Sequence, residues 1–284
     1  MRLGGPLFDA LGKSRGSFED PDDWIRSLRS AGYRAAYCPV GVSAGSAVIA
    51  SFRQAAAREG ILISEVGAWS NPLSADPSTR EAAMKTCIQA LALADEAGAR
   101  CAVNISGSRG EKWDGPCAQD LTDETFGMIV ECVRKIIDAV KPKTACYTLE
   151  TMPWMYPDSV ESYLALLKAI DRKAFAVHFD PVNLVSSPQR YFGNAGLIRD
   201  FVEKLGPHIK SCHAKDILLE PRLTTKLGEV RPGLGALDYG VFLAEIHRLE
   251  ADVPVMLEHL PTREEYALAA EHVRAVAAKQ SIPL

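Results

Sequence analysis

Residues 209–216 read "IKSCHAKD": an apolar start that runs directly into a histidine, a lysine and an aspartate. Ordinary strand ends carry Gly, Asn or Pro turn chemistry instead. Three more segments break off in the same way: "ACYTLET" (145–151), "FAVHFDPVN" (175–183) and "PVMLEHL" (254–260). A fold that gathers the ends of parallel strands into one mouth accounts for all four.

The rest of the chain supplies the frame. Apolar runs at 3–8, 33–40, 61–69, 99–106, 145–152, 175–181, 209–216 and 254–260 read as buried strands. Between and after them, segments of helical period occupy 22–31, 46–59, 79–97, 122–140, 158–170, 197–205, 238–249 and 264–278. Acidic residues open the first helix, and Gly32, Gly60 and Gly98 close the first three. Eight strand-helix units predict an α/β fold, a (β/α)₈ TIM barrel, with residues 1–284 as one domain. An open doubly wound sheet would want GxGxxG after the first strand, but Gly12 and Gly16 stand at the wrong spacing. Two long segments without period, 107–121 and 217–236, follow strands on the face where such barrels place active sites.

Composition bounds the function. With 284 residues, 47% hydrophobic and 24% charged, the chain can build a substantial core. A net charge of -4 without like-charge blocks argues against nucleic acid as partner. No apolar stretch is long enough for a membrane helix, and the N-terminus lacks a signal-peptide pattern. Seven cysteines without a CxxC pair fit a reduced, cytoplasmic protein.

At the strand ends stand Glu150, Asp180, His213 and Glu258, on four consecutive strands. Neighbouring strands lie about 4.8 Å apart, so the four side chains converge. Three uncompensated carboxylates would raise one another's pKa, and a divalent cation removes that repulsion. One nitrogen and three oxygens favour Mn²⁺, Mg²⁺ or Co²⁺ over a structural zinc.

On this quartet, on "HAKD" and on the Glu of "MLEHL", the chain resembles the xylose isomerase-like TIM-barrel family, also called the sugar phosphate isomerase/epimerase family. The resemblance covers essentially the whole chain. It implies one divalent metal ion, Mn²⁺ first among candidates, held by Glu150, Asp180, His213 and Glu258. It also implies a small carbohydrate or polyol substrate, and a barrel that commonly pairs into homo-oligomers. Ketose epimerases of the family often carry a histidine three residues after the strand-six aspartate; here that position is Asn183, which cannot act as an acid or base.

The expected chemistry is proton abstraction alpha to a carbonyl, with the metal as Lewis acid toward the enediolate. Glu150 and Glu258 flank the substrate, one removing the proton and the other returning it. Isomerisation and epimerisation share that enolate with a lyase outcome, beta-elimination from a 3-keto-glycoside or decarboxylation. A sugar-binding barrel without catalysis is the reading from another class.

Further candidates for substrate contact are His178, which shares a strand face with Asp180, and Glu65 and Asn104 at earlier strand ends. Lys215 shares the face of His213, and Arg231 sits in the long loop after strand seven. Among Trp69, Trp113 and Trp154, one is expected to stack on a sugar. His259, next to Glu258, is expected to face the helices.

Overall fold

The computed structural model describes residues 1–249 and 252–284. Eight parallel strands run in sequence order around a ring: β1 Arg2–Gly4, β2 Ala35–Ala36, β3, β4 Cys101–Asn104, β5 Cys146–Glu150, β6 Phe175–Phe179, β7 Ile209–Ala214 and β8 Pro254–Leu257. Strand β3 is broken at Ser64 into Leu62–Ile63, which pairs with β2, and Glu65–Gly67, which pairs with β4. The two ends of the hydrogen-bonded sheet are therefore the halves of one strand, and the ring closes through Ser64. Strands β1 and β8 pair in register, Leu3 opposite Val255, which joins the two ends of the chain.

Outside the ring, among the described residues, lie eight helices of nine residues or more: α1 Pro21–Ala31, α2 Ser46–Glu59, α3 Pro77–Ala97, α4 Asp123–Val140, α5 Val160–Ile170, α6 Asn194–Leu205, α7 Tyr239–His247 and α8 Arg263–Lys279. Each predicted helix is present within a few residues. Local chemistry explains the boundaries. Asp20 caps α1, accepting from the backbone N–H groups of Asp22 and Asp23, and Pro21 takes the first position where no N–H is needed. Gly32, Gly60 and Gly98 end their helices at φ 68, 63 and 73, where a side chain would be strained. Lys141 and Asp171 end α4 and α5 in the same left-handed backbone without glycine, so those two stops carry no sequence signal.

Outward-facing strand residues make the main core with the helices. Phe179 stacks on Phe201 of α6 with ring centroids 4.0 Å apart, and Tyr163 of α5 donates to the carbonyls of Leu149 and Ala176 on two adjacent strands. The barrel interior differs from the usual packing of branched aliphatic residues. Ser64, Glu65, Thr148, His178, Ser211 and His213 are all buried there.

Three parts of the chain depart from the sequence-based expectation. The first run, 3–8, splits at Gly5-Pro6: only its start joins the barrel, while Leu7–Phe8 pairs antiparallel with Ser14–Arg15. Pro6 has no N–H to give a parallel neighbour. After β6, two short helices, Pro181–Leu184 and Pro188–Phe192, precede α6. The segment 217–236 is also less irregular than expected, because Asp216–Glu220 and Lys226–Val230 form a hairpin.

One buried carboxylate organises that last excursion. Asp216 Oδ1 accepts from the N–H groups of Ile217 (2.8 Å) and Leu237 (2.9 Å), and Oδ2 from those of Gly233 (2.9 Å) and Gly235 (3.0 Å). A Cβ on Gly235 would stand 2.3 Å from Asp216 Oδ1, so the close approach requires glycine. No helix among the described residues is long and apolar enough to cross a membrane. Replacing Asp216 with Ala orphans four amides and is expected to cost about 3 kcal/mol. Urea unfolding checks the loss, and hydrogen exchange at 217 and 233–237 should quicken more than exchange in the barrel strands.

Candidate metal centre

Each of the four strand-end donors reaches the mouth for a local reason. Glu150 is the last residue of β5, and Asn183 Nδ2 donates to its Oε1 at 3.2 Å. Asp180 follows β6 and caps the short helix that begins at Pro181. Its Oδ1 accepts from the N–H groups of Val182 and Asn183, which leaves Oδ2 for the mouth. His213 sits near the end of β7, in register with Met256 of β8, and Glu258 stands one residue past β8. One donor atom from each of Glu150, Asp180, His213 and Glu258 lies within 4.8 Å of the others, an arrangement that could hold a metal ion.

Lys215 enters the same space. Its Nζ is 2.8 Å from Asp180 Oδ2, 2.8 Å from Glu258 Oε2 and 3.5 Å from Glu150 Oε1. His213 Nδ1 is 2.9 Å from both Glu150 Oε1 and Glu258 Oε2. Asp180 Oδ2 and Glu258 Oε2 are buried, and neither accepts a hydrogen bond of good angle. Their negative charge faces a shared centre without a directed donor. With a neutral imidazole, the three carboxylates and one ammonium leave two negative charges, the charge a divalent cation would cancel. Both the orphaned oxygens and the hard donor set fit such an ion.

The electrostatics follow from that crowding. Burial pushes Asp180 up to about 6, against the pull of Lys215 and with the push of Glu150. Burial would also raise Glu150 and Glu258, but Lys215 and His213 outweigh it and hold both carboxyls well below the usual range. His213 and Lys215 are held well above their ordinary values: burial opposes this, and the surrounding carboxylates win.

Above the donors lies a cavity of about 400 Å³. Its walls carry Trp69, Trp113 and Trp154, with Ile105, Met152 and Asn183; Glu150, Lys215 and Glu258 reach its floor. Trp154 Nε1 donates to the carbonyl of Asp114, joining the loop after β5 to the loop after β4.

Several expected contacts fall elsewhere. Glu65 and His178 do not line the cavity; both are buried beneath the quartet, where His178 Nε2 meets Glu65 Oε2 at 3.0 Å. Glu65 lies at the break in β3, where its side chain turns down into the barrel, away from a substrate above. Asn104 likewise binds Ser70, exchanging hydrogen bonds with its backbone N–H and carbonyl. Arg231 is drawn off by Glu265 of α8, Nε to Oε2 2.8 Å, and does not line the cavity.

His259 corrects an expectation in the other direction. It lines the cavity, with Nδ1 3.2 Å from Glu229 Oε2 and Nε2 3.5 Å from Glu258 Oε2. Strand alternation would send it outward, but β8 ends at Leu257 and His259 has φ 58, which turns its side chain into the mouth. Glu229, on the hairpin strand Lys226–Val230, was likewise outside the sequence reading, because nothing in that segment showed a hairpin.

A family model described as xylose isomerase-like TIM barrel matches residues 25–276, and the chain belongs to that family. Solved structures share its fold at low identity. A xylose isomerase-like TIM barrel protein from Mycobacterium smegmatis in complex with magnesium is 16% identical, with 98% of this chain and 95% of that one covered and a TM-score of 0.66. D-psicose 3-epimerase with D-tagatose from Clostridium cellulolyticum H10 is 15% identical, with coverages of 97% and 99% and a TM-score of 0.65. The probable 3-DHS dehydratase involved in petrobactin synthesis from Bacillus anthracis is 17% identical, with coverages of 93% and 95% and a TM-score of 0.67. No curated protein matches the chain in sequence.

Because its carboxylate neighbours hold a proton on His213, a metal ion entering the quartet must displace it. Mn²⁺ affinity is expected to rise with pH, by up to about tenfold per unit for one linked proton. Calorimetry in buffers of different ionisation enthalpy measures the release, about one proton per ion; a pH-independent affinity would place the metal elsewhere.

Proposed function

We propose that this member of the xylose isomerase-like TIM-barrel family is a divalent-metal-dependent enzyme that isomerises or epimerises a small carbohydrate by removing a proton alpha to a carbonyl. The observation that carries the reading is the convergence of Glu150, Asp180, His213 and Glu258, two of which, Glu150 and Glu258, reach the floor of a cavity walled by three tryptophans. Those four residues would hold the metal, with Mn²⁺ the first candidate and Mg²⁺ or Co²⁺ compatible with the same donors. When bound, the ion supplies Lewis-acid polarisation of a substrate oxygen.

The chain's own groups do the rest. Glu150 and Glu258 come from strands separated by β6 and β7 and serve as the base and acid pair. Both are held ionised, the form a general base requires. Lys215, between Asp180 and Glu258, sits where its ammonium can stabilise oxyanion charge developing on the substrate. Asn183, bonded to Glu150, offers its amide oxygen to a substrate hydroxyl. The indoles of Trp113 and Trp154 present apolar faces for the carbon side of a sugar ring. The sequence has no glycine-rich phosphate motif, which favours an unphosphorylated substrate. Seven free cysteines suit a reducing, cytoplasmic setting.

A lyase outcome is the second reading, and one feature favours it. Asn183 supplies no acid or base, whereas His259 and Glu229 pair at the outer rim, where a leaving group could take up a proton. Support for either outcome also comes from the fold's neighbours, which include an epimerase and a probable dehydratase.

The test is proton exchange in D₂O with Mn²⁺-loaded protein and a panel of ketoses and 3-keto-glycosides, followed by NMR. Deuterium entering an intact carbon skeleton identifies the isomerase or epimerase; loss of an aglycone or of CO₂ identifies the lyase. Glu150→Gln should lower the rate by about 10² to 10⁴, with metal content measured alongside. A protein that binds sugar with unchanged affinity in that variant and turns nothing over would be a binding barrel.

A further inference from the structure

We infer that Glu65 is a positioning residue for the metal centre: from beneath the quartet it holds the Nε2–H of His213 and so keeps Nδ1 free to bind the ion. The inference rests on the metal-dependent reading above. His213 Nε2 is 3.1 Å from Glu65 Oε1, while Nδ1, on the other side of the ring, faces Glu150 and Glu258 at 2.9 Å. A carboxylate only accepts, so without an ion both ring nitrogens face acceptors and carry protons; an ion in the quartet displaces the one on Nδ1, while Glu65 holds the one on Nε2. In a neutral imidazole the other nitrogen then has its lone pair directed at the quartet.

Glu65 is itself fixed from several sides. Its Oε2 accepts from Ser211 Oγ at 2.6 Å and faces His178 Nε2 at 3.0 Å. Ser64 Oγ lies 2.9 Å from Ser211 Oγ and completes the chain of hydroxyls. Ser211 and His213 alternate on β7, so one strand supplies both the group that anchors Glu65 and the ring that Glu65 orients. The ring of His178 stands edge-on to that of His213, centroids 4.2 Å apart at 69°, and restricts its rotation. Glu65, His178 and His213 also cluster closely enough to hold a second ion. The hydrogen bonds, however, already engage both oxygens of Glu65.

The location argues for function over stability. Glu65 is 2% exposed inside the barrel, where aliphatic side chains would pack without the cost of burying a charge. A carboxylate that orients a ligating histidine and raises its basicity explains the expense.

The experiment uses ¹⁵N-histidine-labelled protein loaded with Zn²⁺, which is diamagnetic, and long-range ¹H–¹⁵N correlation. In the wild type, His213 should show a metal-bound Nδ1 and a slowly exchanging proton on Nε2. Glu65→Ala should bind Zn²⁺ about 10- to 100-fold more weakly, and the Nε2 proton should exchange rapidly. Glu65→Gln, whose amide oxygen can still accept that proton, should keep the tautomer and lose less affinity; it also carries the test if the alanine variant does not fold. Wild-type affinity and slow exchange in both variants would overturn the inference, as would His213 bound through Nε2. Those results would leave the metal reading standing. A wild-type protein that takes up no Zn²⁺, Mn²⁺ or Mg²⁺ would remove both.

Discussion

Carboxylates crowded into a buried space repel one another, and everything around the mouth of this barrel answers that repulsion. Glu150, Asp180 and Glu258 bring donor atoms within 4.8 Å of one another, with Glu150 and Asp180 buried. Lys215 places an ammonium between them, and Asn183 and the backbone at 182–183 engage some of their oxygens. What these partners leave uncancelled is negative charge, oriented toward one point. Mutual repulsion is thus converted into affinity for a cation. The same arrangement explains why its members titrate in opposite directions. Asp180 is pushed upward by burial, while Glu150 and Glu258 are pulled down by the cations beside them.

Below that layer the barrel is polar where such barrels are usually aliphatic. Ser64, Glu65, His178 and Ser211 form a closed set of hydrogen bonds around the ring of His213. Networks of this kind are stabilising only when complete. Here His178 Nδ1 is left without a partner among the described residues, while every polar atom of Glu65 is engaged. The break in β3 belongs to the same design: it frees Ser64 and Glu65 from regular pleating so that both side chains meet β7.

The sequence made the barrel legible because parallel buried strands leave apolar runs and because caps such as Asp20 and Gly32 punctuate them. It made Glu150, Asp180 and His213 legible because polar residues at the ends of such runs have few other uses. Position within a strand was not enough elsewhere. His259 follows alternation only on paper, since a left-handed backbone at that residue reverses its direction. Glu65 looked like a rim residue, yet an irregular strand lowered it by a layer. Arg231 looked free until Glu265, thirty-four residues later, claimed it. Each of these depends on a backbone turn or a distant partner, neither of which a local pattern encodes.

Strands β5 to β8 deliver every charged group on the cavity floor, whereas Trp69, Ile105 and Trp113 follow β3 and β4. The two halves of the ring are thus free to change under different pressures. Exchanging a large side chain in the 69–71 or 105–113 loops would reshape what the cavity admits without disturbing the charges beneath it. A barrel divided in this way lets the side chains after β3 and β4 shape what enters, while the groups after β5 to β8 hold the reactive charges.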